Sequence, residues 1–103
     1  MAKKPPKHYL TLKKRYRKVV DAVETLGQAV KLAGPLDEKS AQLIQLAAAA
    51  AIRSEGSVHS HVRRALEAGA SPEEIRHALV LLTSTIGFPT VAAALAWAAD
   101  ILG

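Results

Sequence analysis

Fifteen residues, IRSEGSVHSHVRRAL from Ile52 to Leu66, hold one glutamate, two histidines, three serines and three arginines between two apolar stretches. His61 is the candidate general acid or base, because imidazole titrates near neutrality. Glu55 is the candidate carboxylate, either a base itself or a partner for a histidine. Ser57, four residues before His61, pairs a hydroxyl with a base, the combination an activated nucleophile needs. The competing reading of Ser57 is a helix N-cap. Arg53 and Arg64 suit an anionic substrate, and His59 and Thr83 complete the candidates for substrate contact. Metal binding through Glu55, His59 and His61 would require a distorted loop or a neighbouring subunit. Neither a metal nor a cofactor is assigned.

Helical geometry sorts these groups. If a helix begins near Gly56, then Ser57, His61 and Arg64 lie at i, i+4 and i+7 and share one face. His59 and Arg63 share another face, about 160 degrees from His61 at about 100 degrees per residue. Val58, Val62 and Ala65 form the apolar stripe, so the two histidines do not converge within one helix. Each polar group has a plain structural alternative. The alternative for His61 is a helix histidine bonded to backbone and for Glu55 an acid favoured by the helix dipole, while His59 reads first as an exposed or interface side chain.

The elements that position the cluster are all helical. Residues 1–8, MAKKPPKH, read as a disordered basic tail, since Pro5-Pro6 cannot sit in a helix interior. From Leu12 the apolar positions Leu12, Tyr16, Val19, Val23, Leu26 and Val30 recur at spacings of 4, 3, 4, 3 and 4, which predicts a helix of about five turns. Gly34-Pro35 closes it. Asp37 caps a second helix, which from Leu43 to Ile52 is apolar all round except for Gln45 and is therefore expected to be buried. The cluster helix runs from about Ser57 to Ala68 and stops at Gly69. Ser71-Pro72-Glu73-Glu74 is a capping box with proline at the first helical position. It opens a helix with Ile75, Leu79, Leu82 and Ile86 on one face. Thr83, Ser84 and Thr85 either back-bond to the preceding turn or line a polar pocket. After Gly87-Phe88-Pro89 a last alanine-rich helix, Thr90 to Leu102, carries the single tryptophan, Trp97. The expected fold is all-α, about five helices in one domain over residues 9–103.

Composition narrows the partners. A chain of 103 residues, half of them hydrophobic but with four aromatics, has a small alanine-rich core and gains from a partner subunit. There is no cysteine, which excludes disulfides, thiolate metal sites and thiol redox chemistry by this chain. Residues 1–18 carry eight Lys or Arg and no acid, while residues 19–103 net to −3. The basic arm could meet nucleic acid or another anionic surface, although it lacks a recognisable nucleic-acid motif. The longest apolar run, Val91 to Ala99, is too short for a membrane span, and the N-terminus lacks a signal-peptide core. A cytoplasmic protein without membrane contact is expected.

The order PLDEKSAQLIQLAAAAAIR, SEGSVHSHVRRALEAGASPEEIRHAL and TIGFPTVAAALAWA resembles the carboxymuconolactone decarboxylase and alkyl hydroperoxidase D family. The resemblance covers roughly residues 35–98 and is most specific at His61 followed by VRRALEAGASPEEI. It implies an all-helical fold assembled as a trimer or as a hexamer of two trimers. The peroxidase branch of that family has a glutamate, a Cys-x-x-Cys pair and a histidine. The matching positions here are Gln42, Ser54, Ser57 and His61, so only the histidine is kept. Peroxiredoxin-type activity, which the family label implies, needs thiols that this chain lacks. The decarboxylase branch is similar at Glu55 and His61 but departs at Ser54 and Ser57. Gln42 is a buried amide that must find partners, and His61 or Ser57 are the candidates.

Two functions follow. One is a small-molecule acid/base enzyme of the decarboxylase or lactone type, using His61, with Glu55 or Gln42 orienting it and Arg53 or Arg64 attracting an anionic substrate. The other is a non-catalytic oligomeric binding or scaffold protein.

Overall fold

The computed structural model describes residues 6–103. They form seven helices and no strand: α1 (Lys7–Arg15), α2 (Arg17–Leu32), α3 (Glu38–Ala51), α4 (Glu55–Glu67), α5 (Pro72–Val80), α6 (Thr83–Ile86) and α7 (Phe88–Leu102). The predicted tail therefore ends too late, because Lys7 and His8 are already helical; its first five residues lie outside the described ones. Two predicted helices are each split. The seam from Leu12 to Val30 breaks at Tyr16, whose φ of −120° and ψ of 51° leave the helical region. Apolar spacing runs through such a one-residue kink unchanged, so periodicity cannot reveal it. The helix after the capping box ends at Val80 and restarts at Thr83 as a single turn.

Contacts divide the helices into two compact units, one containing α1 and α2 and the other spanning residues 37–103. In the first unit Glu24 of α2 accepts hydrogen bonds from the Tyr9 hydroxyl and from Lys13 Nζ at 2.9 Å, tying the two helices together. The hydrogen bond to Glu24, and then its charge, raise the Lys13 pKa.

Within the second unit α3 starts at its predicted cap. Asp37 caps α3, its carboxylate accepting from the Ser40 N–H at 2.7 Å. The capping box of α5 is complete: Ser71 Oγ accepts from the Glu74 N–H at 3.0 Å, and Glu74 Oε1 accepts from the Ser71 N–H at 2.9 Å. Lys39 Nζ donates to Glu74 Oε2 at 2.9 Å, joining the starts of α3 and α5.

These bonds have a pH signature. Hydrogen bonds from Ser40 hold the Asp37 carboxyl below its ordinary value of 3.8. The Ser71 N–H, and then Lys39, hold Glu74 below 4.5. A carboxyl depressed on folding stabilises the native state at neutral pH, and that gain is lost as acid brings the pH down through the ordinary value and then the folded one. Thermal melts between pH 6 and 3 are expected to show an acid limb that flattens in the pair Asp37→Asn and Glu74→Gln. Both groups are exposed, so the change is modest.

The core gathers α3, α4, α5 and α7. Leu46, Ala49 and Ala50 of α3 meet Val58, Val62 and Ala65 of α4, Ile75 and Leu79 of α5, and Ala94 and Ala98 of α7. Leu43, Leu66, Leu82, Leu95, Trp97, Ile101 and Leu102 pack around them. The alanines let the helix backbones approach closely, which the long apolar run in α3 anticipated. That run is not buried all round, however. Ile44 is 54% exposed and Ile52 74%, and Ala48 and Ala51 are exposed as well. Within one chain α4, α5 and α7 cover only part of α3, so its outer face has no cover. None of the described helices is long and apolar enough to cross a membrane.

Candidate functional site

The turn between α3 and α4 sets the site. After Ala51 the chain closes α3 with two backbone bonds, Ser54 N–H to the Ala49 carbonyl and Arg53 N–H to the Ala50 carbonyl, both at 3.0 Å. This pairing is the Schellman closure, and it requires its middle residue to be left-handed. That residue is Arg53, with φ of 58°. α4 ends by the same closure, Ala70 to Ala65 and Gly69 to Leu66, with glycine at the left-handed position. An L-residue there costs roughly 1–2 kcal/mol. Arg53 therefore holds a strained position that glycine fills in the equivalent turn, and its guanidinium reaches Thr90 Oγ1 at 3.3 Å across to α7. Arg53→Gly is expected to stabilise the fold by up to about 1 kcal/mol, visible as a higher melting temperature, while reducing affinity for any anionic ligand. A lower melting temperature would mean that the Arg53 contacts outweigh the backbone strain.

Ser54 follows, and it is the N-cap of α4: its Oγ accepts from the Ser57 N–H at 3.4 Å. The cap role expected of Ser57 thus belongs to Ser54, because α4 starts at Glu55, two residues earlier than the sequence suggested. Ser57 sits inside the first turn and supplies the capped N–H. Glu55 lies in that first turn, where the helix dipole favours its charge.

From this start α4 directs its histidines apart, as the helical wheel required. His61 Nδ1 lies 2.9 Å from Oε1 of Gln42 on α3. Gln42 is fully buried, the buried polar residue among the core side chains. Its other end, Nε2, donates to Glu38 Oε1 at 3.4 Å. Turning the amide over would set two oxygens, one of them anionic, against each other. With the NH2 toward Glu38, Oε1 must accept from His61, so Nδ1 carries the ring proton and Nε2 is the basic nitrogen of the neutral ring. The buried amide thus favours one tautomer and one rotamer of a half-buried histidine. One turn along α3, Gln45 Oε1 is buried without a hydrogen-bond partner, a rare condition that marks a spot where a donor would be welcome.

His59 faces elsewhere. Its Nε2 lies 2.9 Å from Asp100 Oδ2 on α7 and 4.0 Å from Glu55 Oε2. Glu55 therefore lies beside His59, and the hydrogen bond that orients His61 comes from Gln42. Asp100 was not singled out in the sequence. It stands 41 residues from His59 at the end of an alanine-rich helix, and only the packing of α4 on α7 brings it there.

The remaining candidates are peripheral. Arg64 is exposed on the last turn of α4. Burial first, then the neighbouring charge of Arg64, lowers the Arg63 pKa. Thr83 is exposed, and its hydroxyl donates to the Val80 carbonyl at 2.7 Å, the back-bonded alternative.

Comparison with known proteins agrees with this arrangement of helices. The solved structure of an apo carboxymuconolactone decarboxylase family protein from Legionella pneumophila is similar, with a TM-score of 0.73 and 25% identity, covering 90% of this chain and 86% of that one. No curated protein matches the chain significantly. The model of the carboxymuconolactone decarboxylase family matches residues 17–100. The helical fold and this match agree: the chain belongs to the carboxymuconolactone decarboxylase family.

Proposed function

We propose that the chain is a small-molecule acid/base enzyme whose reactive group is His61 and whose substrates are small carboxylic acids or lactones. The observation that carries this reading is the 2.9 Å bond from His61 to a fully buried Gln42. Burying an amide costs free energy unless its polar atoms are bonded, and here the bonding directs one imidazole. Nε2 is then set to take a proton from carbon or oxygen of the substrate, and the imidazolium returns it later in the reaction. Arg53, at the turn that opens α4, supplies positive charge for a carboxylate. Gln42 and His61 match the acid and histidine positions of the peroxidase branch. The chain has no cysteine, so the proposal takes no thiol step.

The reading includes assembly into a homo-oligomer, a trimer or hexamer as the family resemblance implies. The α2 seam supports it: Val19, Val23 and Leu26 are 61–63% exposed, and so does the uncovered face of α3 at Ile44 and Ile52.

The test is turnover of a panel of lactones and carboxylated substrates by the chain and by its His61→Ala and His61→Gln variants. Turnover that depends on His61 supports the proposal. If no panel member is turned over and neither variant alters ligand binding, the proposal fails. The second reading, a non-catalytic binding protein, then stands on the eight Lys and Arg of residues 1–18, with salt-dependent binding of anions as its mark.

A further inference from the structure

The second face of α4 carries a group that the His61 chemistry does not use. Among the described residues, Glu55, His59 and Asp100 each offer a ligand atom, and the three atoms lie within 4.8 Å of one another. We propose that these side chains bind one divalent transition-metal ion of the zinc or cobalt type, at a site separate from His61.

The geometry is set by the fold. Glu55 and His59 are one turn apart on α4 and so share a face. Asp100 arrives from α7, which is held on α4 by burial of Val58, Val62, Ala94 and Ala98. Metal bonds to imidazole nitrogen and carboxylate oxygen are about 2.0–2.2 Å long, so neighbouring ligand atoms around one ion stand roughly 3–3.5 Å apart. Two of the three edges, 2.9 Å from His59 to Asp100 and 4.0 Å from His59 to Glu55, fall on either side of that spacing, and the third lies within 4.8 Å. The adjustment needed is small. The His59 side chain is 21% exposed, while both carboxylates are 57% exposed.

The chemistry narrows the ion. Two carboxylates and a neutral imidazole carry two negative charges, which a divalent cation offsets. Imidazole favours zinc, cobalt and nickel over magnesium and calcium, which prefer all-oxygen sets. Three protein ligands leave open positions for water. Arg63, one turn beyond His59, opposes a cation electrostatically, so the affinity stays below that of a closed structural site. Binding needs His59 deprotonated and weakens on acidification. The sequence assigned no metal, and the set it weighed, Glu55, His59 and His61, lacked Asp100, which only the packing of α7 on α4 supplies.

The experiment is calorimetric titration of the full, untagged chain with zinc chloride near pH 7.5, with cobalt chloride in parallel to read ligand-field absorption. One site per chain is expected, with a rise in melting temperature and a four- or five-coordinate cobalt spectrum. His59→Ala and the conservative Asp100→Asn and Glu55→Gln should each weaken binding by about tenfold or more, the order seen when metal-site groups are lost. His61→Ala and His77→Ala should leave it unchanged. Melting curves without metal confirm that each variant is folded, and Asp100→Asn guards against a folding defect in His59→Ala. Absence of binding at millimolar zinc, or binding that survives both His59→Ala and Asp100→Asn, overturns the proposal.

Discussion

Replacing His61 by alanine lowers turnover of a responsive lactone or carboxylate by about 100- to 10,000-fold, the range contributed by a positioned general acid or base. The substitution has two consequences that must be separated. It removes the basic nitrogen, and it strands Gln42 Oε1, a fully buried acceptor. An unsatisfied buried group costs about 1–3 kcal/mol, so His61→Ala also lowers stability. His61→Gln distinguishes the two. Its amide can still donate to Gln42 and restore most of the stability, but it cannot accept and return a proton, so activity stays lost. A His61→Gln protein with near-normal turnover would mean that the histidine is only a structural partner for the buried amide.

The second large effect comes from the other end of the same bond. Gln42→Leu keeps the volume and removes the acceptor that holds His61 Nδ1. The imidazole then faces an apolar wall, at a cost of about 1–3 kcal/mol for its unpaired N–H, and loses the restraint on its rotamer. Misplacement of a reacting group by about 1 Å can cost about 100-fold in rate, so a drop of one to two orders of magnitude in turnover is expected, with the larger share in kcat. The double variant Gln42→Leu with His61→Leu removes both polar partners together and recovers much of the stability, since an apolar pair of matching shape has nothing left unsatisfied. Chemical denaturation and steady-state kinetics on the three proteins check this.

Sequence and structure agree most where local chemistry decides. Asp37, the Ser71–Glu74 capping box, the stop at Gly69 and the opposition of His59 and His61 are legible because each depends on residues within a turn or two. Gln42 was legible as a buried amide in need of a partner, and His61 is that partner. Ser57 was read as the cap because Gly56 looked like a boundary, whereas Ser54 caps and the strained turn is held by Arg53, a residue type that gives no turn signal. Tyr16 breaks a seam whose spacing is uninterrupted. Asp100 was illegible for a different reason: its relation to His59 exists only after α4 and α7 pack, and nothing local records it. The exposed faces of α2 and α3 show the same limit from the other side. A continuous apolar run says that a helix is to be covered, and not that its own chain covers it.

If His61 is the base, the buried Gln42 must set its tautomer and leave Nε2 as the basic nitrogen. Nitrogen-15 NMR of chain labelled at histidine, assigned by comparison with His61→Gln, reads this directly. The predicted result is that the neutral form of the His61 ring carries its proton on Nδ1, with an Nε2 resonance that moves when a carboxylate or lactone substrate is added, and loss of the single tautomer in Gln42→Leu. A His61 ring protonated at Nε2, or one averaging between tautomers in the unaltered chain, would contradict it.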